Sequence, residues 1–467
     1  MPAPASTARP SPPSDLAFTF ALLVVALLPR LFVALAWSRE PVWDGHYYHL
    51  GATRIAEGLG YSEDVLRGGV PVWRPWCHYP VGYSGFLALV YRVFGAGIRT
   101  APVANAVVGA LLAAVVHRLA LRAMTLGRAR VAGGVVALHA GLIAYSAVLM
   151  SEVLCALLVF TAAWVGARRA TLGAAATAGL LIGLATLVRP ASILAAPLAV
   201  LLMPAPRRFA VARTVVVAVA ALLTVAPWTL RNCRVMDGCA FVSTNFGWNL
   251  AIGALTPNGR FHPLRATDGC PVVTGQVQQD RCWAGVGRET IRRDPAAWLA
   301  RIPAKLSQTY DHESFAIEYL READPASWPE PRRVAGRALL GGLHQLLLVA
   351  ALLGGLSLPS RRRLGLVGAL VQGALVVGTL GYALFAFSGD EHRFWPIALL
   401  IPLLGLLPLP GSAPRGPVER FSLAWVLVTT ITHAVFFGDD RYHLVVTPAL
   451  ALLAAQALRR LGPRTAP

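Results

Sequence analysis

Lysine is almost missing from this sequence: Lys305 stands alone among 42 basic residues. Charge of either sign is scarce, at 14% of all residues, whereas an ordinary soluble domain carries about a quarter. Cysteine is limited to six residues, and their spacings lack a C-x-x-C pair, which argues against zinc. The formal charge of +19 comes almost wholly from arginines grouped in short segments between apolar runs. That grouping is expected of cytoplasmic loops and argues against nucleic acid as a partner. No soluble catalytic domain of standard size, no short-period repeat and no low-complexity tract beyond the Pro-rich N-terminus is visible.

Apolar residues are in excess. They make up 56% of the 467 residues, in long runs of Leu, Val, Ala and Gly. A run of about 20 such residues spans ~30 Å of hydrocarbon as a helix, and the runs are continuous rather than alternating, so a β-barrel is excluded. The sequence therefore predicts an all-α polytopic membrane protein with about twelve transmembrane helices. These fall near residues 16–36, 100–121, 131–149, 153–167, 171–188, 191–203, 210–228, 338–357, 364–387, 394–409, 421–437 and 443–458. The sixth lies between Pro190 and Pro204 and is expected to be tilted, broken or re-entrant.

The predicted organisation is a disordered N-terminus at 1–15, a first transmembrane helix at 16–36 and a first outer loop at 37–99. Helices two to seven follow within 100–230, then a small outer segment at 231–337 and helices eight to twelve within 338–460. The stretch from Tyr83 to Phe94 reads as a juxtamembrane helix lying along the interface. Ala34-Leu35-Ala36 imitates a signal-peptide cleavage site, but Pro29-Arg30 inside the apolar run favours an uncleaved helix.

Orientation follows from charge. Arg118, Arg122, Arg128, Arg130, Arg168, Arg169, Arg207, Arg208, Arg213, Arg361 to Arg363, Arg415, Arg420, Arg459 and Arg460 fall in alternate short loops, read as cytoplasmic. The opposite helix ends carry Asp44, Glu152, Asp390, Glu391, Asp439 and Asp440. Cys233, Cys239, Cys270 and Cys282 share the second outer segment and can form up to two disulfides in three pairings. Arg30, inside the first span, is expected to face the bundle and pair with an acid or a carbonyl.

The most informative residues are Trp43-Asp44-Gly45-His46-Tyr47-Tyr48-His49, Gly58-Leu59-Gly60-Tyr61-Ser62 and His78-Tyr79-Pro80-Val81-Gly82-Tyr83. Ser151-Glu152, Val188-Arg189-Pro190, Pro227-Trp228-Thr229-Leu230-Arg231-Asn232, Ser243 to Leu250 and Asp440-Arg441-Tyr442-His443 follow in order. As a set, spread over the whole chain, they resemble the C-type superfamily of integral-membrane glycosyltransferases. The resemblance is nearest to the bacterial branch of aminoarabinose transferases to lipid A and protein O-mannosyltransferases. It implies a sugar linked to a polyprenyl phosphate, passed to a lipid, glycan or protein acceptor at the outer face of the cytoplasmic membrane.

Such chemistry needs a carboxylate to take a proton and cations to steady a departing phosphate. Asp44 is the expected base, with Glu152 a second acid of the site. Arg441, Arg189, Arg231 and Arg393 are the phosphate candidates, since a guanidinium grips phosphate oxygens as a fork. Tyr47, Tyr48, His78, Tyr79, Asn245, Asn249 and His443 are expected to contact substrate. No cofactor is required, although a divalent cation near Asp44, His46, His49 and His78 stays open, because His46 and His49 can share a helix face. The competing reading is a flippase or secondary transporter, for which polar groups near the bilayer midplane would be expected. Here they gather at one face.

Overall fold

The computed structural model describes residues 13–168, 170–202, 207–271, 275–356, 366–388, 393–407 and 415–458. Arg169, Arg361 to Arg363, Asp390, Glu391, His392, Arg459 and Arg460 lie outside them. Helix lies within each predicted span, unbroken in some and interrupted in others. Five helices are long and apolar enough to cross a membrane: Asp15–Ala36, Thr100–Ala120, Phe209–Val235, Glu330–Gly355 and Leu366–Phe387. The chain is a multi-pass membrane protein, and the remaining apolar helices are shorter.

Lipid is the solvent these helices anticipate. The first turns Phe20, Leu28 and Phe32 outward, and Leu366, Val367 and Leu384 are exposed likewise. Such faces are stable only against hydrocarbon. Inward, the Thr100–Ala120 helix packs between the first helix and Glu152–Arg168, and its buried Ala and Gly positions let backbones approach closely. Arg207–Val235 lies along Leu172–Val188, and Glu330–Gly355 along Thr447–Ala457.

Two predicted spans are broken. Residues 190–202 form a 3-10 turn, one α-turn and a second 3-10 turn, where Pro190 and Pro197 remove amide donors. The span predicted at 131–149 is a helix at Leu126–Leu138, an extended residue at His139 and a short helix at Ala140–Ala144. Arg30 explains how that break is tolerated. Fully buried, it donates to the carbonyls of Val136 (2.8 Å), Ala137 (2.6 Å) and Ala26 (2.8 Å), capping the helix whose hydrogen bonds end there.

The first loop holds two helices, Trp43–Ala56 and Val81–Phe94, the second over the stretch where a helix was expected. Between them lies an antiparallel hairpin, Ser62–Arg67 with Val70–Pro75, turned by Gly68 and Gly69, both with positive φ. A helical reading of the chain had no place for it. The alternation in Ser62-Glu63-Asp64-Val65-Leu66-Arg67 is too short to separate from loop, and it is Gly-Gly that closes the turn. In the second loop segment, Cys233 pairs with Cys239 and Cys270 with Cys282. The helix preceding that segment extends to Val235, past the predicted boundary at 231. Lys305, the lone lysine, is fully buried and donates to the carbonyls of Ala434 and Val435, both at 3.1 Å. It thereby caps the helix Pro417–Val435 with a cation at its negative end.

The ends of the bundle differ in chemistry. At one, Arg130 stacks on Phe18 and Arg128 bonds Gln456 at 2.6 Å. At the other, the first loop, the second segment and the turn at 438–443 converge on Asp44.

Candidate functional site

Asp44 occupies the first turn of Trp43–Ala56, where the helix dipole favours an anion. It is not the N-cap, which is Val42. Trp43 before it has φ +50°, a left-handed conformation that is uncommon for a bulky residue and frequent at functional sites. The Tyr79 hydroxyl donates to one carboxylate oxygen at 2.7 Å, and the Arg441 guanidinium to the other at 2.6 Å. Burial alone would raise this carboxyl, but Arg441, Tyr79 and nearby His78 outweigh it and hold Asp44 below the usual carboxylate range.

Arg441 is the hub. Beyond Asp44 it lies 3.9 Å from Glu152 and 3.6 Å from Asp439, over the ring of Phe315 and beside that of Tyr442. Its Nε is buried and makes no hydrogen bond among the described residues. Glu152 is only 1% exposed, and Arg189 donates to it at 2.7 Å while also reaching Ser151. Arg189 in turn lies over Tyr442, so this one ring separates two guanidinium groups. Gly82 makes the arrangement possible: a Cβ there would meet the backbone of Leu187 and Val188 at 2.5 Å, so glycine lets the helix Val81–Phe94 abut the turn that presents Arg189.

Asp439 carries the opposite perturbation. Burial, opposed by Arg441 and helped by the neighbouring Asp440, pushes it up to about 7. Asp440 is structural. It accepts from the Ser314 hydroxyl at 2.8 Å and the Phe315 amide at 2.9 Å, capping the helix Phe315–Ala323. A cavity of about 820 Å³ opens beside these residues, lined by Trp43, Phe315, Asp439, Arg260, Arg333 and Arg337 among others.

The structure thus brings together Asp44, Glu152, Arg441 and Arg189, with Tyr79 bonded to Asp44 and Tyr47 stacked on Tyr79. Tyr48 is buried beneath, its edge against Tyr79. His78 lies between Tyr79 and Trp248, and burial keeps its imidazole below the ordinary value despite Asp44. Asn245 accepts from Ser243 at 2.8 Å, and Asn249 is half-buried one helical turn further on.

Three expected site residues point elsewhere. Arg231 donates to the carbonyls of Trp76 (3.1 Å) and Tyr61 (2.7 Å) and to the Asn232 side chain, fastening the hairpin to the bundle. Arg393 lies over Phe385. His443 turns away from Asp44 to face Thr309 and Glu313. His49, one of the residues at which a cation was left open, bonds Tyr91 at 2.8 Å. Among the described residues, metal-ligand spacing occurs instead at Glu313, His344 and His443. Sequence reading noted Tyr442 and Asp439 beside Arg441 without giving either a part in the site, and it did not notice Phe315.

No model of a known protein family matches the chain, and no curated protein does. Solved structures that are similar include an archaeal oligosaccharyltransferase from Archaeoglobus fulgidus in complex with an inhibitory peptide and a dolichol-phosphate. Its TM-score is 0.45 at 15% identity, over 95% of this chain and 50% of that one. Another is ArnT from Cupriavidus metallidurans bound to undecaprenyl phosphate, with TM-score 0.36 and 16% identity over 94% of this chain and 78% of that one. The chain therefore spans about half the length of the oligosaccharyltransferase. Likeness at this level carries no argument about chemistry, which rests on the residues themselves.

Proposed function

We propose that this protein is an integral-membrane glycosyltransferase. It takes a sugar from a polyprenyl-phosphate carrier and passes it to an acceptor hydroxyl at the outer face of the cytoplasmic membrane. The observation that carries the reading is Asp44 held between a tyrosine hydroxyl and Arg441, beside the buried Glu152–Arg189 pair. The sequence resemblance and the separation of arginine-rich from acidic helix ends support it.

The acceptor oxygen attacks the anomeric carbon, the bond from that carbon to the phosphate oxygen breaks, and the phosphate leaves with the electron pair. Asp44 accepts the acceptor's proton. While Arg441 is paired with it, Asp44 is a weak base. A donor phosphate competing for Arg441 loosens that pair, so donor binding itself makes the carboxylate more basic. The unbonded Nε of Arg441 is the donor group this grip would use first, with Arg189 adjacent. Glu152 keeps both guanidinium groups in register. The cavity lined by Trp43, Phe315 and Asp439 is the acceptor side in this reading.

The test is transfer by the full-length protein in nanodiscs, given a labelled polyprenyl-phosphate sugar and an envelope extract as acceptor. Label should leave the carrier for the acceptor, and a nucleotide sugar should not replace the donor. Lipid translocation without transfer would sink the reading and favour a flippase. Reporter fusions after Arg130 and near Gly259 should report cytoplasm and exterior; the reverse would overturn the orientation.

A further inference from the structure

Behind the Asp44 site, four ionisable side chains converge in a buried space: Glu313 (1% exposed), His443 and His344 (both 0%) and His139 (6%). They come from four separate elements. Glu313 follows the helix Ile302–Tyr310, His344 lies in Glu330–Gly355, His443 in the turn Tyr442–Val445, and His139 at the break that Arg30 stabilises. Gly141 is required there, since a Cβ at that position would overlap the Glu313 carboxylate.

The hydrogen bonds fix where the ring protons sit. A backbone carbonyl can only accept, so His443 Nδ1, 2.8 Å from the Thr309 carbonyl, carries its proton. His344 Nε2, 3.1 Å from the Tyr310 carbonyl, does too. The remaining nitrogens, His443 Nε2 and His344 Nδ1, then present lone pairs. His443 Nε2 faces a Glu313 oxygen at 3.4 Å, and His344 Nδ1 and the other Glu313 oxygen have no hydrogen-bond partner among the described residues. The two rings stack at 3.7 Å and 20°, which two imidazolium cations would resist and which leaves their in-plane lone pairs nearly parallel, so that joining one ion turns one ring. With both rings neutral, two lone pairs and a carboxylate lie close together in a buried space, which is costly unless something positive joins them.

We propose that Glu313, His344 and His443 bind one divalent metal ion of the zinc class. The ligand atoms lie within 4.8 Å of one another, and the 3.4 Å between Glu313 and His443 already matches the roughly 3.3 Å between ligands of a tetrahedral ion. Each ligating histidine donates its other N–H to a carbonyl, an arrangement that fixes ring orientation and tautomer in metal sites. His139 is not a third imidazole ligand. Its Nδ1 accepts from the Leu142 amide at 3.3 Å, so the proton is on Nε2, which lies 3.9 Å from Glu313, beyond hydrogen-bond reach but near enough to support the carboxylate's charge. The ion is distinct from the one left open beside Asp44, His46, His49 and His78. It ties the turn that carries Arg441 to the second loop segment and to the helix holding His344, so its part is to position rather than to react, and it stands whether or not the protein transfers sugar.

The experiment uses full-length protein purified in detergent through a tag that binds no metal. Elemental analysis should find about one zinc-class ion per chain, and chelated protein refilled with Co²⁺ should develop the intense visible absorption of a low-coordinate N/O site. His344→Ala, His443→Ala and Glu313→Gln should each abolish both signals. His139→Ala should keep the one-ion stoichiometry while weakening Co²⁺ affinity by about 10- to 100-fold. Folding is monitored by size exclusion, and wild-type protein alone can decide the matter. Metal-free wild type that gives no Co²⁺ spectrum overturns the proposal in favour of a Glu313–imidazolium pair. One bound ion that survives both His344→Ala and His443→Ala overturns it equally, by placing the ion elsewhere.

Discussion

Arg441 and His443 are two residues apart, yet they belong to opposite kinds of polar centre. On the Arg441 side, three acids (Asp44, Glu152, Asp439) and two guanidinium groups form pairs at 2.6 to 3.9 Å, around a ring shared by both arginines. On the His443 side, one carboxylate meets two imidazoles, His344 and His443, that donate to backbone carbonyls rather than to it. In the first centre every charged group has an opposite charge within 3.9 Å, so a ligand that takes the Arg441 Nε also competes with existing partners. The second is incomplete. Exchangeable pairs suit a substrate that comes and goes, because each departure restores a stable ground state, whereas converging lone pairs suit a resident ion.

If that contrast holds, the largest effect belongs to Asp44. Asp44→Asn keeps the shape and the bond from Tyr79 but removes the proton acceptor, so transfer should fall by about 100- to 10,000-fold while donor binding persists. Measured rates of transfer and a separate donor-binding titration check this. Wild-type turnover would leave the balanced centre without a reacting group.

Arg189→Ala probes the pairing itself. It leaves the buried Glu152 carboxylate with only Arg441, 3.9 Å away. The loss of thermal stability in detergent should sit near the lower end of the about 3–5 kcal/mol expected for a broken buried pair. Adding Glu152→Gln should recover much of it, since the stranded charge goes too; no recovery would show that Glu152 is not held by charge balance. Arg231→Ala is the contrasting control. Its carbonyl bonds fasten the hairpin, so melting should drop by about 1–3 kcal/mol while transfer per folded molecule is unchanged. A selective loss of transfer would return Arg231 to the site.

The two centres were unequally legible in the sequence. Asp44, Glu152, Arg189 and Arg441 stand at the ends of apolar runs, where a charge is conspicuous, and the order of the spans brings those ends together. Arg231 and Arg393 stand at similar ends, and nothing in one dimension says that carbonyls of the hairpin take the first and Phe385 the second. The histidine cluster was invisible for a different reason. Its members come from positions 139, 313, 344 and 443, and a lone histidine in an apolar helix, as His344 is, reads as core. Long apolar runs foretold a helical membrane bundle, but the break at His139 depends on Arg30 reaching across from another helix.

The smallest expected effect sharpens the contrast most directly, because it concerns a proton shared by the balanced centre. Asp439 is pushed up to about 7, first by burial, and lies 3.6 Å from Arg441. Folded protein therefore holds this proton more tightly than the unfolded chain, whose carboxyl titrates near 3.8, so Asp439's contribution to stability declines as pH rises from about 4 to about 7. Donor binding has the same sign. A phosphate brought to Arg441 adds negative charge beside Asp439 and raises its pKa further, so binding takes up a proton. If that rise is about one unit, donor affinity should weaken roughly tenfold as pH climbs from about 7 to about 8, and be flat on either side. Asp439→Asn should abolish the slope and keep the tighter, low-pH affinity throughout. A polyprenyl phosphodiester does not titrate in this window, so the slope reports the protein. Titrations of a labelled donor at a series of pH values measure it directly, and an unchanged slope in Asp439→Asn would detach Asp439 from the Arg441 centre.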